Sequence, residues 1–215
     1  MQAERFFNFM AEYNTAIWPA QIVFYLLSFV FIITAFYRVR GSNTLNILIL
    51  SSLWIWNGAV TLLIYFTSFH NQYYVWGPVW IAQGLLILYQ GITKKQINFK
   101  IKRDLYSITG VILIVYALII YPLIGSWLGH PFPRGPLFGS APCPTVIFTF
   151  SAFLFSENRV KPYLLYFPFL WALMSLYPII GMGVYADIGE IVAAVLAFIL
   201  ILKKNKNLTV TNDRC

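Results

Sequence analysis

The sequence reads as an all-α integral membrane protein of seven transmembrane helices, amino terminus outside and carboxyl terminus cytoplasmic, on three grounds. Of its 215 residues 60% are apolar and only 10% charged, against about 25% charged and roughly 45–50% apolar in a soluble domain. That much apolar surface cannot be hidden inside a water-exposed globule of this size, which excludes a soluble enzyme domain, a disordered chain and a disulfide scaffold. The apolar residues also fall into runs of about 20 residues, the length that a hydrocarbon core needs. Finally, the basic residues gather on one side when those runs are threaded alternately through a bilayer.

Residues 1–16, with the aromatic stretch Arg5-Phe6-Phe7-Asn8-Phe9-Met10, are expected to lie along the outer interface. Ile17–Tyr37 is the first span. It follows Glu4 and Glu12, has full length and leads into Tyr37-Arg38-Val39-Arg40 rather than small residues, so it is expected to remain as a span and not act as a signal peptide. Leu45–Phe66, Val75–Ile92 and Leu105–Leu128 follow. The fifth span, Leu137–Ser156, is interrupted at its start by Pro142 and Pro144 and becomes continuously apolar only at Thr145. Tyr163–Ile180 and Gly183–Leu202 complete the set. Residues 1–203 thus make a single domain with an outer Pro/Gly-rich loop at 129–144, and 204–215 a basic cytoplasmic tail. Charge supports the count: Arg38, Arg40, Lys94, Lys95, Lys100, Lys102, Arg103, Arg159, Lys161, Lys203, Lys204, Lys206 and Arg214 fall inside, leaving only Arg5 and Arg134 outside.

The net charge of +8 is therefore spread over loops rather than gathered on one face, and nucleic acid is set aside as a partner. Trp18, Tyr73, Tyr74, Trp76 and Trp127 suit an aromatic belt. Cys143 falls outside and Cys215 inside, so the two cannot pair within one chain.

Ionisable groups in hydrocarbon cost about 2.5–3.5 kcal/mol each, which makes their positions informative. Asp187 and Glu190 are the carboxylates within a span, three residues apart and hence on one helix face. Counting at 1.5 Å per residue from the inner ends puts Cys143 at nearly the depth of Glu190. The approach to Cys143, Gly129 to Pro144, holds too many prolines and glycines to be one helix. Such backbone is tolerated at membrane depth only in protein or beside a wet cavity. Glu12, His70, His130, Arg134, Cys143, Asp187 and Glu190 all fall in or above the outer leaflet, predicting an outward-facing polar cavity covered by Gly129–Pro142. Arg134 neutralising Asp187 or Glu190 for purely architectural reasons is the competing reading. Asn57, Gln21, Gln83 and Gln90 read as helix–helix hydrogen-bond partners, and Trp54, Trp56 and Trp171 as packing. Residues Ala117–Gly125, containing Tyr121-Pro122, echo Ala172–Gly181, containing Tyr177-Pro178.

Tyr13-Asn14-Thr15-Ala16-Ile17-Trp18-Pro19-Ala20-Gln21, Gly129-His130 with the Pro-rich stretch, Phe138-Gly139, Pro142-Cys143-Pro144-Thr145 and Ile147-Phe148-Thr149 resemble an uncharacterised family of multi-pass bacterial membrane proteins, domain-of-unknown-function family 6064. The resemblance covers nearly the whole chain. It implies a bacterial cytoplasmic-membrane protein of several helices and supplies no activity.

Function is thus read from the residues as binding and transport of a cation or small polar solute. Asp187, Glu190, His130, Cys143, Arg134 and Glu12 are the candidate ligand-binding residues. Cys143, His130, Glu190 and Asp187 are also candidate ligands for a divalent metal, and haem held by His70 and His130 is left open as well. An outer-leaflet enzyme using a metal or a thiol, and a structural or sensory subunit acting through a partner, are the alternatives. Two histidines cannot make a three-histidine zinc site, and there is no Cys-x-x-Cys for disulfide exchange. Retinal is not expected, because the seventh span has no lysine before Lys203. Lipid and a small solute or ion are the expected partners, with a homo-oligomer left open.

Overall fold

The computed structural model describes residues 2–212 of the chain, so Arg214 and Cys215 lie outside the described residues. The described chain is helical, with an isolated antiparallel bridge between Phe99 and Ser156. In order its helices are α1 (Gln2–Ala16), α2 (Ala20–Tyr37), α3 (Ser42–Ser68), α4 (Tyr73–Thr93), α5 (Leu105–Trp127), α6 (Pro142–Leu154), α7 (Tyr163–Met174), α8 (Leu176–Met182) and α9 (Asp187–Asn212). Five segments, α2, α3, α4, α5 and the stretch α7–α8, are long and apolar enough to cross a membrane.

Polarity is distributed as lipid requires rather than as water does. Helix α2 buries Gln21, Phe24, Ser28, Phe31 and Ala35 at alternating spacings of three and four and turns Leu26, Phe29, Ile33 and Phe36 outward, each more than half exposed. A stripe that hides Gln and Ser while displaying Leu, Ile and Phe would be costly in water.

Helix α6 forms the centre of the bundle, packed by α5, α7 and α9. Of its 13 residues, all but Cys143 are buried. The helix begins at Pro142, five residues later than the expected span, because Pro142 and Pro144 fit a first helical turn, where no N–H is needed, and nothing regular can precede them. At about 20 Å it is shorter than a hydrocarbon core of about 30 Å. A helix sheathed in other helices has no lipid thickness to match. Its hydroxyls are satisfied internally, Thr145, Thr149 and Ser151 each donating to the carbonyl four residues back, and Thr149 also accepts from Trp54 Nε1 at 2.9 Å.

Prolines inside the long helices leave carbonyls without donors, and side chains from neighbouring helices fill the gap. Pro168 cannot donate to Leu164, whose carbonyl instead accepts from Gln83 Nε2 at 2.9 Å. Pro122 likewise frees Leu118, which accepts from Tyr25 Oη at 3.1 Å. Helices α3 and α4 cross closely where Gly58 and Gly77 meet: a Cβ on Gly58 would stand 2.7 Å from the Gly77 carbonyl oxygen.

One end of the bundle is basic. Arg38, Lys100 and Lys102 converge on Glu157, and Lys204 Nζ donates to the Leu154 carbonyl at 2.7 Å, where burial lowers its pKa to about 8. The last helix starts at Asp187 rather than Gly183, since Gly183 takes a left-handed conformation (φ 72°) that closes α8. Asp187 and Glu190 therefore occupy the first turn of α9, about 26 and 21 Å respectively along that helix from Lys204.

Candidate functional site

Three chain segments meet where α6 and α9 begin. Cys143 is the second residue of α6, Asp187 and Glu190 lie in the first turn of α9, and Ser175 sits at the interruption between α7 and α8. That interruption follows from Pro178, which cannot donate to Met174. The sulfur of Cys143 and carboxylate oxygens of Asp187 and Glu190 all lie within 4.8 Å of one another.

The hydrogen bonds link the cluster tightly. Tyr121 Oη donates to Asp187 Oδ1 at 2.5 Å, and Cys143 Sγ donates to Asp187 Oδ2 at 3.5 Å. Ser175 Oγ donates to Glu190 Oε2 at 2.5 Å and stands 3.9 Å from Cys143 Sγ. Glu190 Oε1 is buried with no protein partner. Asp187 is 1% and Glu190 0% exposed, and no ion pair among the described residues involves either.

The acids sit in the first turn of α9, at the positive end of that helix, and Asp187 also meets Cys143 in the first turn of α6. A helix terminus contributes typically 0.3–1 kcal/mol and up to about 2 kcal/mol to a nearby anion, less than the several kcal/mol that burying an ion costs. The two termini reduce the cost without cancelling it. The arrangement is a buried set of two carboxyls and a thiol, with no basic side chain paired to either carboxyl among the described residues, suited to receiving a cation, whether a metal or an organic one.

In front of Cys143 and Asp187 opens a cavity of about 560 Å³, walled by Phe6 and Met10 of α1, Tyr73 and Trp76 of α4, Trp171 and Ser175, with His70 and Gln72 at its edge. Phe6, Phe7 and Met10 are buried against the bundle. Their spacing with Tyr13 puts one apolar face of α1 toward the protein.

The remaining predicted residues lie elsewhere. Arg134 donates to Glu4 at 2.5 Å and to Asn8 at 3.3 Å, so the architectural reading in which it neutralises Asp187 or Glu190 is overturned. The loop carrying it runs along α1, where acidic Glu4 is the nearer partner. His130 stacks on Phe7 with ring centroids 3.4 Å apart, beside a separate cavity of about 70 Å³, and does not join the Cys143 cluster. Burial, then the charge of Arg134, lowers its pKa. Glu12 is exposed on α1.

The motif residues at the start of the chain hold the Pro/Gly-rich loop in place. Tyr13 Oη donates to the Ser140 carbonyl at 2.8 Å, and burial pushes its pKa up to about 12. Asn14 Nδ2 donates to the carbonyls of Pro133 (2.7 Å) and Gly135 (2.9 Å). Asn57 Nδ2 donates to the Gly139 carbonyl at 2.9 Å. Gly139 has φ 78° and a Cβ there would meet Phe24 at 2.4 Å, so no other residue fits.

Tyr121 and Ser175 were not among the sequence candidates. The signal available was the Tyr-Pro echo, since one copy contains Tyr121 and the other contains Ser175.

A family model described as a family of unknown function (DUF6064) matches residues 3–212. No curated protein and no solved structure matches the chain.

Proposed function

The chain belongs to this family of unknown function, DUF6064, and from that premise we propose that it captures a cation or small cationic solute from the outer side of a bacterial cytoplasmic membrane and carries it inward. The observation that supports this is the pairing of two fully buried carboxyls and a thiol, all within 4.8 Å, with no basic side chain paired to them among the described residues. Two acids side by side in a low-dielectric site cannot both be ions unless positive charge joins them, and an incoming cation that displaces their protons supplies it. Glu190 Oε1, buried and unpartnered, is an acceptor left for that ligand.

Movement rather than storage is favoured by the helix interruption at Ser175, directly beside the carboxylates, a construction common where transporters bind their solutes. The proposed topology has seven crossings, α6 and α9 included, with the cavity outside and the Arg38, Lys102, Lys204 end inside.

Calorimetric titration of Zn²⁺, Mn²⁺ and 4-phenylbutylammonium into purified protein tests the binding step. At least one of the three is expected to bind the wild type tenfold or more tightly than Glu190→Gln. Equal heats for wild type and variant with all three would defeat the reading.

A further inference from the structure

We infer that the ligand is an amphiphilic organic ammonium ion, its head held among Cys143, Asp187 and Glu190 and its apolar body filling the aromatic cavity before them; this rests on the cation-binding reading above. The size of the space speaks first. A dehydrated metal ion needs little more than the ~30 Å³ of one water, whereas the cavity holds about 560 Å³, within the range of about 300–1,000 Å³ that suits an organic molecule.

The walls have the matching chemistry. Tyr73, Trp76 and Trp171 present aromatic surface, and Trp171 is held edge-on by buried Trp80, with centroids 4.9 Å apart and planes at 86°. Trp171 lies one helical turn before Ser175, whose hydroxyl contacts Glu190. Aromatic faces next to carboxylates recognise alkylammonium ions through cation–π attraction together with apolar burial. A primary ammonium has three N–H donors; Asp187 lines the cavity as an acceptor, and the unpartnered Glu190 Oε1 belongs to the buried group adjoining it, within the same 4.8 Å cluster, without itself lining the cavity.

The entrance fits an amphiphile as well. Leu173, Leu176 and Tyr177 line the cavity and are 39%, 50% and 55% exposed. In a bilayer these side chains face hydrocarbon, so a ligand can enter sideways with its apolar part leading from the lipid.

The experiment compares 4-phenylbutylammonium with its neutral analogue 4-phenyl-1-butanol and with Zn²⁺, in protein reconstituted into lipid nanodiscs with empty discs as blanks. Wild type is expected to bind the ammonium at least tenfold more tightly than the alcohol, a comparison that needs no variant. Glu190→Gln is expected to abolish that preference while leaving the alcohol unchanged. Trp76→Leu is expected to weaken both organic probes several-fold. If Zn²⁺ binds with Glu190 dependence and the ammonium does not bind, the inference falls and the cation-binding reading stands. Equal binding of ammonium and alcohol, insensitive to Glu190→Gln, overturns the inference in favour of a neutral apolar ligand. Absence of Glu190 dependence for every cation defeats both.

Discussion

Glu157 is met by Arg38 at 2.8 Å and Lys102 at 2.9 Å, with Asn98 donating at 3.0 Å, whereas Glu190 is met by a serine hydroxyl and by no basic group among the described residues. Glu157 joins three segments at one end of the bundle, and its surroundings set its titration. Partial burial pushes its pKa up, but the bond from Lys102 and the charges of Lys102, Arg38 and Lys100 outweigh burial and hold it below its ordinary 4.5. A carboxyl with a lowered folded pKa contributes stability that is full above the ordinary value and is lost as pH falls through the lowered one. Tm of the wild type in detergent is therefore expected to exceed that of Glu157→Gln at pH 7, and the gap to close by pH 3. A gap of constant size across that range would show that the cluster adds nothing by charge. Asp187, Glu190 and Cys143 were legible in the sequence because ionisable and thiol groups at membrane depth are rare and costly. Tyr121 and Ser175 were not, because a hydroxyl is cheap to bury and common, and nothing in its spacing says what it will touch.

The proline-freed carbonyl of Leu164 ties α7 to α4 through Gln83. In membrane bundles such a side-chain bond contributes about 0.6 kcal/mol on average and up to about 1.7 kcal/mol. Gln83→Leu is expected to lower stability by about 1 kcal/mol. Adding Pro168→Ala restores a backbone donor to Leu164, so the double variant should recover much of the loss. Urea- or SDS-driven unfolding of the four proteins reads the cycle, and losses that simply add would remove the coupling. The prolines and the intramembrane glutamine could be read from the sequence, but not that one answers the other, since their partnership is a matter of helix packing. Helix α6 shows the opposite limit. Its sequence is apolar like a lipid-facing span, and periodicity carries no sign of how many neighbours surround a helix that is apolar on every face.

The arrangement of charge along the molecule predicts its orientation. Glu157 and Lys204 lie at one end and the Cys143 cluster at the other. A fluorescent protein fused after Cys215 is expected to fluoresce inside a bacterial cell, and alkaline phosphatase fused there to be inactive. Active phosphatase would reverse the assignment and place the cavity on the inner side. The apolar, membrane-like class and the runs of helix follow from composition and spacing, because the cost of burying charge in hydrocarbon and the rise of a helix act on the chain locally. Three outcomes depended on distant parts of the chain meeting: that Arg134 turns to Glu4 and His130 to Phe7, that Tyr121 and Ser175 complete the acidic cluster, and that an aromatic cavity opens in front of it. Each is a choice among partners of similar local chemistry, and such choices are made by packing, which sets which groups come within a few ångströms of one another.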